Sequence, residues 1–88
     1  MDIEFIADEW YDHHKTKVVW FTAIVDEKTL ECGISMEALA DHFGGFYDDP
    51  LPAFRRNRER IQNAAAKLIE QRRFQGDGRI IIRSADLD

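Results

Sequence analysis

The sequence predicts an α+β fold: a two-layer sandwich in which a small antiparallel sheet carries two helices on one face, in the order β-β-α-α-β with room for an extra N-terminal strand. Three observations predict it. Residues 17–26, KVVWFTAIVD, are dense in β-branched and aromatic side chains, which suit a pleated surface. Two later segments, 36–43 and 51–74, repeat apolar residues at helical spacing. Residues 79–84, RIIIRS, return to strand composition. Strands first and helices after them argue for segregated layers.

Each element follows from local chemistry. In the first of these strands Val19, Phe21, Ala23 and Val25 share one face, and Val18, Trp20, Thr22 and Ile24 share the other, because strand side chains alternate. Asp26-Glu27-Lys28 is a polar break of hairpin length, and residues 29–34 return with Leu30, Cys32 and Ile34 on one face. Ser35 is a natural N-cap, Glu37 suits the positive end of a helix dipole, and Gly44-Gly45 supplies the stop. The second helix starts near Asp49 or Pro50 and runs to Phe74, with Phe54, Ile61, Ala65 and Leu68 on its apolar stripe and Ile69 beside it. Residues 75–78, QGDG, end it. Residues 3–6 offer another strand, whereas 8–16 show no period. The expected core is Val19, Phe21, Ala23, Val25, Leu30, Cys32, Ile34, Leu39, Phe43, Phe54, Ile61, Ala65, Leu68 and either Ile80 or Ile81.

The totals bound the class. With 88 residues, 44% hydrophobic and 33% charged, the chain fits one soluble domain over 1–88, its first 16 residues of undetermined structure, and excludes a disordered chain. The acidic start Met1-Asp2-Ile3-Glu4-Phe5 lacks the pattern of a signal peptide, and no apolar run is long enough to span a bilayer. The single cysteine, Cys32, allows no internal disulfide. The expected location is the cytoplasm, away from membranes. Charge is split by position. Residues 1–50 hold 3 Lys against 12 Asp/Glu, and residues 51–88 hold 9 Lys/Arg against 5. Such a division favours attraction within the molecule, between copies, or to another polyelectrolyte.

No group of residues makes a convincing catalytic set. His13 and His14, flanked by Asp8, Glu9 and Asp12, have the donor types of a divalent-metal site, but adjacent residues in extended chain point apart, and a solvated loop explains them. His42 beside Asp41 could act in acid–base chemistry. Neighbours on a helix diverge by about 100°, however, and a His at a helix C-terminus is already explained as a cap. Cys32 lies on an apolar strand face, where a thiol behaves as a small hydrophobe. The glycines match no nucleotide fingerprint. The residues imply no cofactor and no metal.

Two surfaces remain. Arg56, Arg60, Asn63 and Lys67 recur at steps of three and four along the second helix. They could track a phosphate backbone, or form a solvated face laced by pairs such as Arg55–Glu59 and Glu70–Arg73, or face the acidic half. The other surface is the sheet face away from the helices. There Val18, Trp20, Ile24 and an isoleucine of the last strand, with Trp10, Tyr11, Phe46 and Tyr47 in range, would form an exposed apolar patch suited to a protein contact, unless residues 1–16 fold over it.

The run Cys32-Gly33-Ile34-Ser35-Met36-Glu37-Ala38-Leu39-Ala40-Asp41-His42-Phe43-Gly44 carries a family resemblance. So do Phe21-Thr22-Ala23, Ala53-Phe54, Arg60-Ile61, Asp77-Gly78 and Ile80 with Ile82. The chain resembles domain of unknown function family 1488, the YrdB-like small bacterial proteins. The resemblance covers nearly the whole chain, with residues 10–14 matching least. It implies a small two-layer α/β domain and brings no activity, cofactor or site residue. The function expected is a non-enzymatic protein-interaction or self-associating domain, a homo-oligomer or the partner of another protein, using Trp20, Ile24, Trp10, Tyr11, Arg56, Arg60 and Lys67. The rivals are a nucleic-acid-associated protein and, with least support, a small metal-dependent or acid–base enzyme.

Overall fold

The structure, a computed structural model, describes residues 1–44 and 48–87. Eight elements follow in order: strands β1 (Ile3–Tyr11), β2 (Val18–Val25) and β3 (Lys28–Ser35), helices α1 (Met36–Phe43), α2 (Leu51–Arg56) and α3 (Arg58–Glu70), strand β4 (Ile80–Ile82) and helix α4 (Ser84–Leu87). The strands form one sheet in the order β1-β2-β3-β4. The α+β class and the two layers are as the sequence predicts.

The β2–β3 hairpin is closed by Asp26 and Glu27, both at positive φ (49° and 73°), while Val25 faces Lys28. A two-residue turn of this hand matches the twist of the strands it joins, and it is made here without glycine. At α1 the Ser35 hydroxyl accepts from the Ala38 N–H at 3.1 Å, and Gly44 ends the helix at φ 67° with its N–H donating to the Leu39 carbonyl.

Four features differ from the sequence reading. First, β1 is a full nine-residue edge strand beside β2, so the N-terminal segment extends the sheet rather than covering it. Its missing period has a cause. Between the pairs Ile6–Thr22 and Trp10–Trp20, β1 contributes Ala7, Asp8 and Glu9 where β2 contributes Phe21 alone; the two extra residues of this bulge keep Ile6 and Trp10 on one face, but the polar Asp8 and Glu9 interrupt the apolar pattern between them. Second, β4 is short and pairs parallel to β3, with Cys32 opposite Ile80 and Ile34 opposite Ile82. The sheet is therefore mixed: three helices intervene between β3 and β4 and return the chain in the same direction. Third, the expected single helix to Phe74 is two. Asn57 interrupts it at φ −119°, its side-chain amide donating to the Ala53 carbonyl at 2.8 Å. An Asn that bonds nearby backbone competes with the helix ladder. α3 then stops before Phe74: Arg72 takes φ 57°, Arg72 N–H reaches Ile69 O, and Arg73 N–H reaches Leu68 O, a helix-ending motif in which Arg stands where Gly is usual. Fourth, residues after β4 form the short helix α4, tied to α1 by the Ser84 hydroxyl donating to Asp41 at 2.9 Å.

The core lies between the sheet and the helices. Val19, Phe21, Ala23, Cys32, Ile34 and Ile80 meet Leu39, Phe54, Ile61, Ala65 and Leu68, all buried. Val25, Leu30 and Phe43 are only partly buried at its margin. Met36, Ala38, Ala53, Ile69 and Ile82 join the core beyond those expected.

Candidate interaction surface

Strand register fixes what the other face of the sheet displays, since cross-strand partners share a face. One row runs Trp10, Trp20, Gly33 and Ile81 across all four strands. The next runs Ile6, Thr22 and Glu31, and a third Glu4, Ile24 and Thr29. The helices bury the opposite side, so among the described residues no element forms a second layer on this outer face.

Trp20 does not stand open on it, contrary to the sequence expectation. Its residue is 4% exposed, and Val18 beside it is 5% exposed. Three neighbours account for this. Gly33 leaves the space the indole fills: a Cβ there would lie 2.8 Å from Trp20 Cε3 and 2.4 Å from Val18 Cγ1. Arg79 stacks over the ring, its Cζ 4.7 Å from the centroid, a cation–π contact. Trp20 Nε1 donates to Thr16 Oγ1 at 3.2 Å, and that hydroxyl donates on to Asp12 at 2.9 Å. Asp12 also accepts from the N–H groups of His14, Lys15 and Thr16. The Thr16 bond leads in drawing its carboxyl below the ordinary value, and burial opposes the shift. The β1–β2 loop thus anchors the indole.

The exposed apolar surface lies instead along β1. Trp10 is 53% exposed and Ile6 41%, with Ile24 and Ile81 half-buried beside them. Around these stand exposed acids: Glu4 and Glu31 in the rows, and Asp2 and Glu27, which with Ile3, Glu4 and Ile24 line a shallow depression of about 220 Å³. The bulge orders one more. Asp8 accepts from the Thr22 N–H at 2.9 Å and from its hydroxyl at 2.6 Å.

Glu9 is turned to the helix side. It accepts from Arg55 Nε at 2.9 Å and Arg58 Nη2 at 2.6 Å, and its side chain is 6% exposed. Burial raises its pKa, but the bonds from Arg55, its own backbone N–H and Arg58 outweigh that, leaving the carboxyl below its ordinary value. Of the ways Arg55 could pair, the structure takes Glu9, not Glu59. Glu9 Oε1 and Arg58 Nε are buried without a hydrogen-bond partner among the described residues.

The remaining sequence candidates separate. Tyr11 faces the core side opposite Val19 and packs against His13, the rings tilted at 58° with centroids 4.5 Å apart. Phe46 and Tyr47 lie outside the described residues. Arg56 borders a depression with Asp48, Asp49, Pro52 and Ala53. Arg60 and Lys67, with Asn63, border a different groove opposite Asp86 and Leu87, and Arg60 stacks over Phe43 at 5.0 Å. The stripe is therefore divided between two surroundings. Cys32 is fully buried, and burial first, then the Asp8 carboxylate, pushes its thiol up to about 12, which leaves it no thiolate at neutral pH. Asp41 is engaged by Ser84. Among the described residues no three His, Cys, Asp or Glu side chains converge as metal ligands, and no helix is long and apolar enough to cross a membrane.

Sequence reasoning missed Ile6, Arg79 and Gly33 as parts of this surface. Gly33 carried a signal, being a glycine inside a strand, which often marks close approach of another group. Ile6 became assignable only with the β1 register.

Comparison with known proteins places the chain among close likenesses. The profile of a family described as protein of unknown function DUF1488 matches residues 3–82. The uncharacterized protein YrdB of Escherichia coli strain K12 is 39% identical, over 78% of this chain and 81% of its own. YrdB of Shigella flexneri gives the same figures. A crystal structure of a protein of unknown function from the same family, from Shewanella loihica PV-4, superposes with a TM-score of 0.82 at 26% identity, covering 91% of this chain and 90% of that one.

Proposed function

This chain belongs to the DUF1488 family of proteins of unknown function, and from that premise we propose that it is a non-enzymatic protein-interaction domain of the bacterial cytoplasm, working through the outer face of its sheet. One observation carries the reading: the two large apolar side chains Ile6 and Trp10 stand exposed on the same face of β1, on the side no helix covers. Aromatic residues exposed beside aliphatic ones mark protein contacts more often than scattered single residues do. Behind Trp10 the surface is rigid, because Trp20 is held by Gly33, Arg79 and Thr16. A preset surface loses little conformational freedom on docking.

The nucleic-acid reading draws less support. Arg55 and Arg58 are committed to Glu9, and Arg60 to Phe43. Residues 36–88, which include all the helices, hold nine acidic and nine basic side chains, so the helical layer offers no net positive field to a phosphate backbone.

The test is site-specific photocrosslinking in the bacterial cytoplasm. A benzophenone amino acid is placed at Trp10 or Ile6, and as control at the exposed Glu37 of α1. Crosslinked protein adducts from Trp10 and Ile6 but not from Glu37 are expected, and an adduct of twice the chain mass would show a second copy as occupant. No adduct from the sheet positions, or equal adducts from both sides, would overturn the proposal.

A further inference from the structure

We infer that the occupant of the outer sheet face is a basic amphipathic segment of another protein, not a second copy of this chain; the inference rests on the interaction reading above. It comes from where the fold puts charge. Residues 1–35, which make β1, β2, β3 and their two turns, hold eight acidic side chains against three lysines, while residues 36–88 hold nine of each. The whole net charge of −5 therefore sits on three adjacent strands together with the chain start and the turns that join them. Of those eight acids only Glu9 is turned into the helical layer. Glu31 alone of the rest meets a basic side chain on the face, Arg79 at 3.4 Å, in a pair exposed on both sides. Glu4, with Asp2 and Glu27 around Ile24, meets none among the described residues.

This surface is apolar in its middle and acidic at its rim, and each feature selects against an alternative. Two copies joined about a twofold axis would set the same acidic rim against itself, which is repulsive. An anionic membrane or nucleic acid is repelled likewise. The edge of β1 is a poor template for strand addition, since the bulge at residues 7–9 ends its regular run after Ile6. A segment with leucine-like residues on one side and Lys or Arg along its flanks meets both features. Its apolar side covers Ile6, Trp10, Ile24 and Ile81, and its cations reach Glu4 and Glu27.

The test uses two synthetic amphipathic helices of one pattern, built from Leu and Lys or from Leu and Glu, titrated into the intact protein with tryptophan fluorescence and calorimetry as readouts. Binding of the Leu/Lys peptide is expected, weakening with added salt. It should weaken roughly tenfold or more in Ile6→Ser/Trp10→Ser and several-fold in Glu4→Gln/Glu27→Gln, with circular dichroism confirming that both variants fold. Leu/Glu peptide binding as tightly at the Trp10 face would overturn the basic occupant and leave the docking reading standing. So would a dimer in sedimentation that is lost in Ile6→Ser/Trp10→Ser. Leu/Lys binding indifferent to Ile6 and Trp10 would overturn the inference as mere charge attraction, and the crosslinking experiment then decides the docking reading separately.

Discussion

Replacing Gly33 by alanine tests whether Trp20 is packed as described. The added Cβ would come 2.4 Å from Val18 Cγ1, 2.8 Å from Trp20 Cε3 and 2.9 Å from Trp20 Cζ3, whereas carbon atoms rest at about 3.5–4.0 Å. Neither neighbour can retreat freely. Val18 Cγ1 is one bond from a branched Cβ in a strand, and Trp20 is held by Thr16 at one end and Arg79 over its face. Overpacking of this kind costs about 1–3 kcal/mol. Alanine's smaller loss of backbone freedom returns about 0.5–1 kcal/mol. The expected net destabilisation is about 1–2 kcal/mol, or about 4–15 °C in Tm for a domain of this size. Urea and thermal unfolding followed by far-ultraviolet circular dichroism and tryptophan fluorescence measure it. Val18→Ala removes the 2.4 Å contact, so Gly33→Ala should cost about 0.5–1 kcal/mol less in that background, a coupling of the size expected for touching residues. A Gly33→Ala protein as stable as the parent, or strict additivity with Val18→Ala, would refute the packing argument.

Two further outcomes follow from titratable groups. Glu9 has a folded pKa below its ordinary 4.5, so its contribution to stability is complete above the unfolded value and is lost as pH falls through the folded one. Glu9→Gln should cost about 1–2 kcal/mol at neutral pH. This lies below the range for a fully buried pair, because Arg55 is 55% exposed and the cluster is incompletely bonded. The difference from wild type should shrink steadily below pH 4.5 in urea titrations; a difference independent of pH would refute the ion-pair account. Cys32, fully buried with its thiol pushed up to about 12, should resist a disulfide-exchange reagent at neutral pH and react only at the rate of unfolding. Prompt modification of the native protein would show that the site is open.

The sequence made the helix-facing side of the sheet legible and the outer side much less so, for a physical reason. Alternation along residues 17–26 and the spacing in 36–43 both report burial against a common core, and the faces carrying Val19, Phe21, Ile34, Leu39, Phe54 and Ile61 are where they were expected. The same alternation assigned Trp20 correctly to the other face but not its environment. Its burial depends on Gly33 across the strand pair and on Arg79, 59 residues away in sequence, and no local pattern encodes either. The bulge hid β1 in the same way: Asp8 and Glu9 look like one polar run, yet one bonds Thr22 beside it and the other is drawn into the helical layer. Asn57 divided a helix whose apolar spacing runs almost unbroken through it, because its side-chain bond to Ala53 is a polar matter that hydrophobic periodicity does not register.

The charge division takes a different meaning once the strands are placed. Counted by halves of the chain, acid at the N-terminus and base in the helices suggest two opposite poles that could bind each other. Counted by layers, the helical part is neutral, and β1–β3 with the chain start and their turns carry the excess. Arg55 and Arg58 are drawn inward to Glu9, while Glu37, Asp41, Glu59 and Glu70 offset the rest of the helical arginines and lysine. What remains is one acidic face bearing Ile6 and Trp10 and no equally strong basic face on the same molecule. Head-to-tail assembly therefore has little electrostatic drive, and added salt should not dissociate an assembly of this chain alone. It should loosen only a complex in which the cations come from a different protein.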